Sequence, residues 1–210
     1  MIKIAFPKGR LGESVAEKFM EAGYTFEGAF DETRKLYFEN EKMGVSMFWV
    51  KPFDVPVYVE RGAADLGVCG NDVLLERDLH VYEIADLKRG VCRLSVAEKK
   101  ENASERRCQS GTLRVATKYP NISRKYYGKK GVEIDIIELN GSIEIAPVIG
   151  LSDVIVDIVE SGASIRENGL KEIEVICEVS ARLTANIAMY QTRMQEISEI
   201  LKRLVKREGE

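Results

Sequence analysis

The sequence predicts an α/β protein on three observations. Strand-like runs, such as 2–6, 113–117 and the alternating 132–139, alternate with segments whose apolar residues recur at helical spacing. Turn and stop signals fall between them, at Gly23, Gly62, Asn140-Gly141 and Asn168-Gly169. No Gly/Ser/Pro-rich linker, internal repeat or low-complexity tract interrupts the alternation. A chain of 210 residues can bury a substantial core as one large domain or two small ones. If there are two lobes, strand-like segments near Arg89-Gly90 and Ser180-Ala181 join them, with a ligand cleft between.

Residues 2–6 read as a first strand, left through Pro7-Lys8-Gly9-Arg10 into a helix with Leu11, Val15, Phe19 and Ala22 on one side. A strand, a cationic Gly-containing loop and a helix resemble a phosphate-binding turn, although the Walker spacing is absent. The bland alternative for Lys8 and Arg10 is two solvated surface cations. Residues 35–39 and 45–50 form a hairpin around the charged turn 40–44, with Arg34 and Lys51 at its outer ends. Those cations either reach over a cleft or guard a sheet edge.

Residues 51–62 read as a short helix bounded by Pro52, Pro56 and Gly62. A buried strand over 64–70 follows, then a helix started by the cap-like Asn71-Asp72. Residues 81–87 and 91–98 are strands, and the polar segment 101–111 a mobile loop. After the strand at 113–117 come a helix over 121–127, the strand 132–139 and a helix with Glu144 in its first turn. A strand at 173–179, an extended 182–186 and an amphipathic helix over 189–205 complete the chain. That helix carries Met194, Ile197, Ile200, Leu201, Leu204 and Val205 at core-like spacing.

The most informative stretch is 154–166. Val154-Ile155-Val156-Asp157-Ile158-Val159 reads as a buried strand containing one carboxylate, which needs a partner or a task. Glu160-Ser161-Gly162-Ala163-Ser164 then turns the chain with small residues into a helix start. Such a loop suits a phosphate monoester, with Asp157 near sugar hydroxyls.

Composition limits the chemistry. Apolar content of 45% and charged content of 31% are ordinary for a soluble globular protein. A net charge of −3 argues against wholesale nucleic-acid binding while leaving room for a local basic pocket. Cys69, Cys92, Cys108 and Cys177 form no Cys-x-x-Cys pair and read as buried small hydrophobes. The one histidine, His80, reads as a loop or strand-edge residue, which disfavours a zinc site and Ser-His-Asp or Cys-His catalysis. Residues 1–6 are too short for a signal peptide and no window has the apolar length of a membrane span, so a cytoplasmic protein is expected.

Four ordered segments resemble the short form of ATP phosphoribosyltransferase. They are Phe6-Pro7-Lys8-Gly9-Arg10-Leu11; Asp54-Val55-Pro56 through Gly62-Ala63-Ala64-Asp65-Leu66-Gly67-Val68-Cys69-Gly70-Asn71-Asp72-Val73-Leu74; Arg114-Val115-Ala116-Thr117-Lys118-Tyr119-Pro120; and Gly141-Ser142-Ile143-Glu144 through Ile165. The family spacing from Glu144 to Gly150, Ser152, Asp157, Ser161 and Gly162 is intact, while Ser164 and Ile165 stand where the family more often has Thr and Leu or Met. Lys51 replaces a common Arg, keeping the charge without the bidentate fork.

The resemblance implies attack of adenine N1 of ATP on C1′ of phosphoribosyl pyrophosphate, releasing pyrophosphate in the first step of histidine biosynthesis. It also implies Mg²⁺, carried by the substrates' phosphates, and two lobes of the type II periplasmic-binding-protein kind. On that reading residues 1–90 and 181–210 form one lobe, and 91–180 the other, with the phosphate loop. A homodimer joining a regulatory subunit like histidyl-tRNA synthetase in a hetero-octamer is implied as well. By the same resemblance Arg10 and Arg34 contact pyrophosphate with Lys8 beside them, and Lys51 joins Arg10 on ATP. Glu144 and Asp157 bind the ribose hydroxyls, and Ser161, Gly162, Ala163 and Ser164 hold the 5′-phosphate. For Glu144 alone, a carboxylate complementing its helix dipole is the competing reading. A non-catalytic two-lobed solute binder and a phosphoribosyltransferase for another base are the competing functions.

Overall fold

Two separate sheets organise the chain, and the computed structural model describes residues 1–31, 34–100 and 111–205. The chain divides into a unit made of Met1–Gly90 and Ser180–Glu210 and a second unit, Val91–Val179.

The first unit is built around β1 (Ile2–Pro7), buried at every position but Lys3 as its apolar run requires. It pairs in parallel with β3 (Val45–Val50) on one side and β4 (Leu66–Gly70) on the other. The hairpin partner β2 (Tyr37–Asn40) lies antiparallel to β3. Its turn is a 3₁₀ segment, Glu41–Met43, capped by Asn40 Oδ1 accepting from the Met43 amide at 3.1 Å. On the far side β11 (Ala181–Ala185) returns antiparallel to β4, followed by β5 (Tyr82–Asp86).

Helix α1 (Arg10–Glu21) covers one face, its Phe19 ring meeting Phe6 edge-on at 5.1 Å. A 3₁₀ turn at Pro52–Asp54 leads into α2 (Val55–Glu60), and with α3 (Asn71–Arg77) it covers the other face over Ala5, Val59, Cys69 and Val73.

Two expectations fail here. Asn71 does not cap α3; Gly70 holds that position, and Asn71 Oδ1 instead accepts from the Ser180 amide at 2.9 Å, tying β11 to the end of β4. The terminal helix is two helices, α7 (Ile187–Thr192) and α8 (Met194–Val205). Between them Arg193 leaves helical geometry, and its guanidinium donates to the Met1 carbonyl at 2.9 Å and to Glu196 at 2.6 Å. The break leaves Met194 exposed, while Ile197, Ile200 and Leu204 still join the core beside α1.

The second unit orders its strands β10-β6-β9-β7-β8. Strands β7 (Leu113–Thr117), β8 (Ile134–Glu138) and β9 (Val154–Val159) are parallel, and β6 (Cys92–Lys99) runs antiparallel between β9 and β10 (Leu170–Val179). The connections are α4 (Pro120–Lys129), α5 (Ile145–Val148) and α6 (Ala163–Glu167). Ala97, Ala116, Ile143, Ala146, Ile155, Val159, Ile165 and Leu170 form a core that seats α5 and α6. Arg114 holds Asp153 through its backbone amide and a bidentate guanidinium contact, 2.7 Å at the shorter arm, which fixes the entry to β9.

Strand β10 begins at Leu170, earlier than its apolar pattern suggests, because its first residues pair with the end of β6. The expected loop at 101–111 lies outside the described residues except for Gly111. No helix among the described residues is long and apolar enough to cross a membrane.

Candidate active site

Parallel strands in a twisted α/β sheet bring their carboxyl ends to one edge, where loops are freed to meet ligands. In the second unit that edge carries Asp157. The register pairs Thr117 of β7 with Val156 of β9, so the next residues, Lys118 and Asp157, meet as an ion pair with Nζ to Oδ1 at 3.9 Å. Thr117 secures the junction: its hydroxyl donates to the Val156 carbonyl at 2.7 Å and accepts from the Tyr119 amide at 2.9 Å. Asp157 Oδ1 also accepts from the Ile158 amide at 2.8 Å. The carboxylate in the apolar strand therefore has both a cation and an amide.

Strand β9 leads into Glu160, Ser161, Gly162 and then α6. Gly162 is left-handed (φ 73°, ψ 10°), which a residue with Cβ adopts only at a penalty. Ser161 Oγ accepts from the Ala163 amide at 3.3 Å, and Arg166 Nη1 donates to the Ser161 carbonyl at 3.1 Å. Helix α6 has only five residues, so the loop's own amides matter more here than a long helix dipole.

Glu144 does not lie within the first turn of α5. It is the residue just before that helix, and its Oε1 accepts from Ser164 Oγ at 2.5 Å. The contact joins the two segments that the family resemblance implies for ribose and phosphate.

The first unit places its candidate cations at the carboxyl edge of its own sheet. The register pairs Pro7 with Val50, and the Lys8 amide donates to the Val50 carbonyl at 2.8 Å. Lys8 and Lys51 thus leave neighbouring parallel strands at the same level, both exposed. Gly9 (φ 94°) turns the chain so that Arg10 opens α1, also exposed. Gly12 must be glycine for another reason: a Cβ there would sit 1.7 Å from the Pro7 carbonyl oxygen. Arg34 is exposed and precedes β2 by three residues, while the Leu36 carbonyl accepts from the Trp49 amide at 2.9 Å. The hairpin's outer end therefore begins one residue pair beyond the assigned strand.

His80 is exposed in a loop, its amide bonded to Glu60. Cys69 is fully buried, and burial pushes its thiol well above the usual range, unsuited to a nucleophile. Cys92 and Cys177 are half-buried rather than buried, and Cys108 lies outside the described residues. Among the described residues no three His, Cys, Asp or Glu side chains converge as a metal site.

Sequence reasoning missed Lys118. It lies inside a recognised segment, but its pairing with Asp157 depends on strand register, which a single sequence does not display.

Residues 51–206 match the family described as HisG: ATP phosphoribosyltransferase. An ATP phosphoribosyltransferase of Caldanaerobacter subterraneus subsp. tengcongensis is 47% identical over 204 residues, 97% of this chain and 96% of that protein. ATP phosphoribosyltransferase 2 of Geobacter sulfurreducens is 46% identical over 206 residues, 98% of this chain and 97% of that protein. Among solved structures, the ATP phosphoribosyl transferase (HisG:HisZ) complex from Thermotoga maritima aligns with TM-score 0.84 at 36% identity, covering 98% of each chain.

Proposed function

The chain belongs to the ATP phosphoribosyltransferase family, and from that premise we propose which of its residues hold each part of the substrates. Its fold is the α/β, two-lobed, type II periplasmic-binding-protein-like class. The family reaction joins ATP, through adenine N1, to phosphoribosyl pyrophosphate in the first step of histidine biosynthesis.

Displacement at an anomeric carbon develops positive charge on the ribosyl ring and negative charge on the departing pyrophosphate. Adenine N1 attacks with its lone pair, so no strong general base is required and positioning with electrostatics dominates. Asp157 and Glu144 take the ribose hydroxyls, and their charge favours the cationic ribosyl centre. Ser161, Gly162, Ala163 and Ser164 take the 5′-phosphate. When a phosphate accepts from Ser164, it replaces Glu144 as acceptor, which releases the Glu144 carboxylate for the ribose. Lys118 faces Asp157 across the strand ends and orients its carboxylate before substrate arrives.

Arg10 and Arg34 are assigned to pyrophosphate with Lys8 beside them, and Lys51 with Arg10 to ATP. Mg²⁺ enters on the substrates' phosphates, in keeping with its reluctance to dehydrate, and counts as part of the substrate. The Thermotoga maritima relative is a HisG:HisZ complex, which supports assembly of this chain with a HisZ-type regulatory subunit in a hetero-octamer.

The observation that carries this assignment is the sequence of contacts at the end of β9: Asp157 paired with Lys118, then a loop whose Ser164 already bonds Glu144. Incubating the chain with ATP, phosphoribosyl pyrophosphate and Mg²⁺, with and without a HisZ-type subunit, should yield phosphoribosyl-ATP and pyrophosphate. No phosphoribosyl-ATP under either condition would sink the reading.

A further inference from the structure

We infer that Arg93 and Arg166 are positioning residues that aim the amides of the phosphate loop by holding the carbonyls of Glu160 and Ser161. The inference rests on the assignment of residues 161–164 to the 5′-phosphate.

Arg93 Nη1 donates to the Glu160 carbonyl at 3.3 Å, and Arg166 Nη1 donates to the Ser161 carbonyl at 3.1 Å. In a trans peptide the carbonyl and the following N–H point to opposite sides of the chain. A Glu160 carbonyl turned toward Arg93 therefore turns the Ser161 N–H away from it. The Ser161 carbonyl on Arg166 does the same for the Gly162 N–H. Gly162 is left-handed and Ala163 is helical, and such a pair makes a concave nest of successive amides suited to an anion. The amides of Ser161, Gly162 and Ser164 donate to no protein group among the described residues, and that of Ala163 rests on Ser161 Oγ.

Each guanidinium is itself held in place. Arg93 grips Glu172 through Nε and Nη2, both at 2.6 Å, and Glu172 Oε1 also accepts from Ser95 Oγ at 2.8 Å. Because β6 pairs with β9 at Arg93 and Val159, this rigid fork stands beside the last residue of the strand. Arg166 lies over the loop from α6, its Nη1 2.9 Å from where a Gly162 Cβ would be. The amides thus meet the phosphate without reorganising, which is where preorganised donors gain their advantage.

The test is titration of the full chain with ribose 5-phosphate, with ATP as control, on Arg166→Met, Arg93→Met and Ser161→Ala/Ser164→Ala. Each arginine variant should bind ribose 5-phosphate about five- to tenfold more weakly, the scale of one misdirected amide contact, with ATP affinity unchanged. Amide NMR supplies a readout that a structural role would not move. At saturating ribose 5-phosphate the Gly162 amide of the unaltered chain should shift downfield, and Arg166→Met should lose that shift. In Arg93→Met the lost shift should be that of Ser161.

Retained shifts at saturation would reduce both arginines to general charge attraction and overturn the inference, as would unchanged affinity. Arg93→Met leaves Glu172 without its partner, so Arg166→Met decides if that variant fails to fold. If the serine variant weakens binding while the arginine variants do not, the loop assignment stands and this inference alone falls. If the serine variant also binds normally, the loop assignment falls and takes the inference with it.

Discussion

The two units build their candidate site segments in different ways. In the first, a loop is shaped by backbone fit: Gly9 supplies the turn, and Gly12 lets α1 approach the Pro7 carbonyl to a distance that no side chain survives. Its cations, Lys8, Arg10 and Lys51, then stand exposed at the sheet edge. In the second, a loop is shaped by side chains: Arg93 and Arg166 hold its carbonyls, Glu144 holds its serine, and Lys118 holds Asp157. A long-range charge field needs only placement on a rigid scaffold, whereas the hydroxyl and phosphate recognition proposed for the second unit needs aimed donors and acceptors.

The largest expected effect tests the backbone side of that contrast. Gly12→Ala should destabilise the chain by about 3–5 kcal/mol, because the clash is with a main-chain oxygen that cannot swing aside. Gly162→Ala should cost only about 1–2 kcal/mol, since it meets the mobile end of Arg166 and a left-handed φ. Denaturant unfolding compares the two, and equal losses would dissolve the distinction.

Next come the exposed cations. Arg10→Ala and Arg34→Ala should each raise the transition-state free energy by about 2–4 kcal/mol while leaving unfolding unchanged. Normal turnover in both would refute their role at the pyrophosphate. A smaller effect separates field from contact. Raising salt from about 0.1 M to about 1 M shortens the screening length from about 10 Å to about 3 Å and should shrink the Arg34→Ala penalty. The Asp157→Asn penalty should change less, because Asp157 is half-buried and paired. Steady-state kinetics at the two ionic strengths supplies the measurement.

The smallest effect lies in the wiring of the second unit. Hydrogen bonding from Arg93 holds the Glu172 carboxyl below its ordinary value near 4.5, outweighing desolvation, with Ser95 adding to the depression. A depressed carboxyl contributes stability above its unfolded value and loses it as pH falls through the folded one. Resistance to thermal unfolding should therefore fall on acidification below about pH 4.5, and Glu172→Gln should flatten that decline. A variant as acid-sensitive as the unaltered chain would remove Glu172 from the account.

Much of this architecture was legible in the residues. The runs at 2–6, 45–50, 113–117 and 154–159 form strands because β-branched residues pack well on a pleated, buried surface. Helix α6 stops at Asn168-Gly169, where the turn chemistry says it should, with Gly169 at φ 71°. Glu144, Asp157 and Ser161 to Ser164 lie in one unit, and Ser164 reaches Glu144 across 20 residues of sequence. The break at Arg193 was not legible, since the helical pattern continues through it and the partner that stops it is the carbonyl of Met1. Nor was the role of Asn71, which has the composition of a cap but binds Ser180, far along the chain.

What the sequence alone determined is local: which runs become strands, where glycine must turn the chain, and that a lone aspartate in an apolar strand needs a reason to be there. Periodicity, turn chemistry and burial preference act over a few residues, so a single sequence displays them. What the tertiary structure decided is who stands opposite whom. Parallel register set Lys118 beside Asp157, and antiparallel register set Arg93 beside the end of β9. Those pairings depend on how distant strands align, and strand alignment is settled only when the whole sheet closes its hydrogen bonds around a common core.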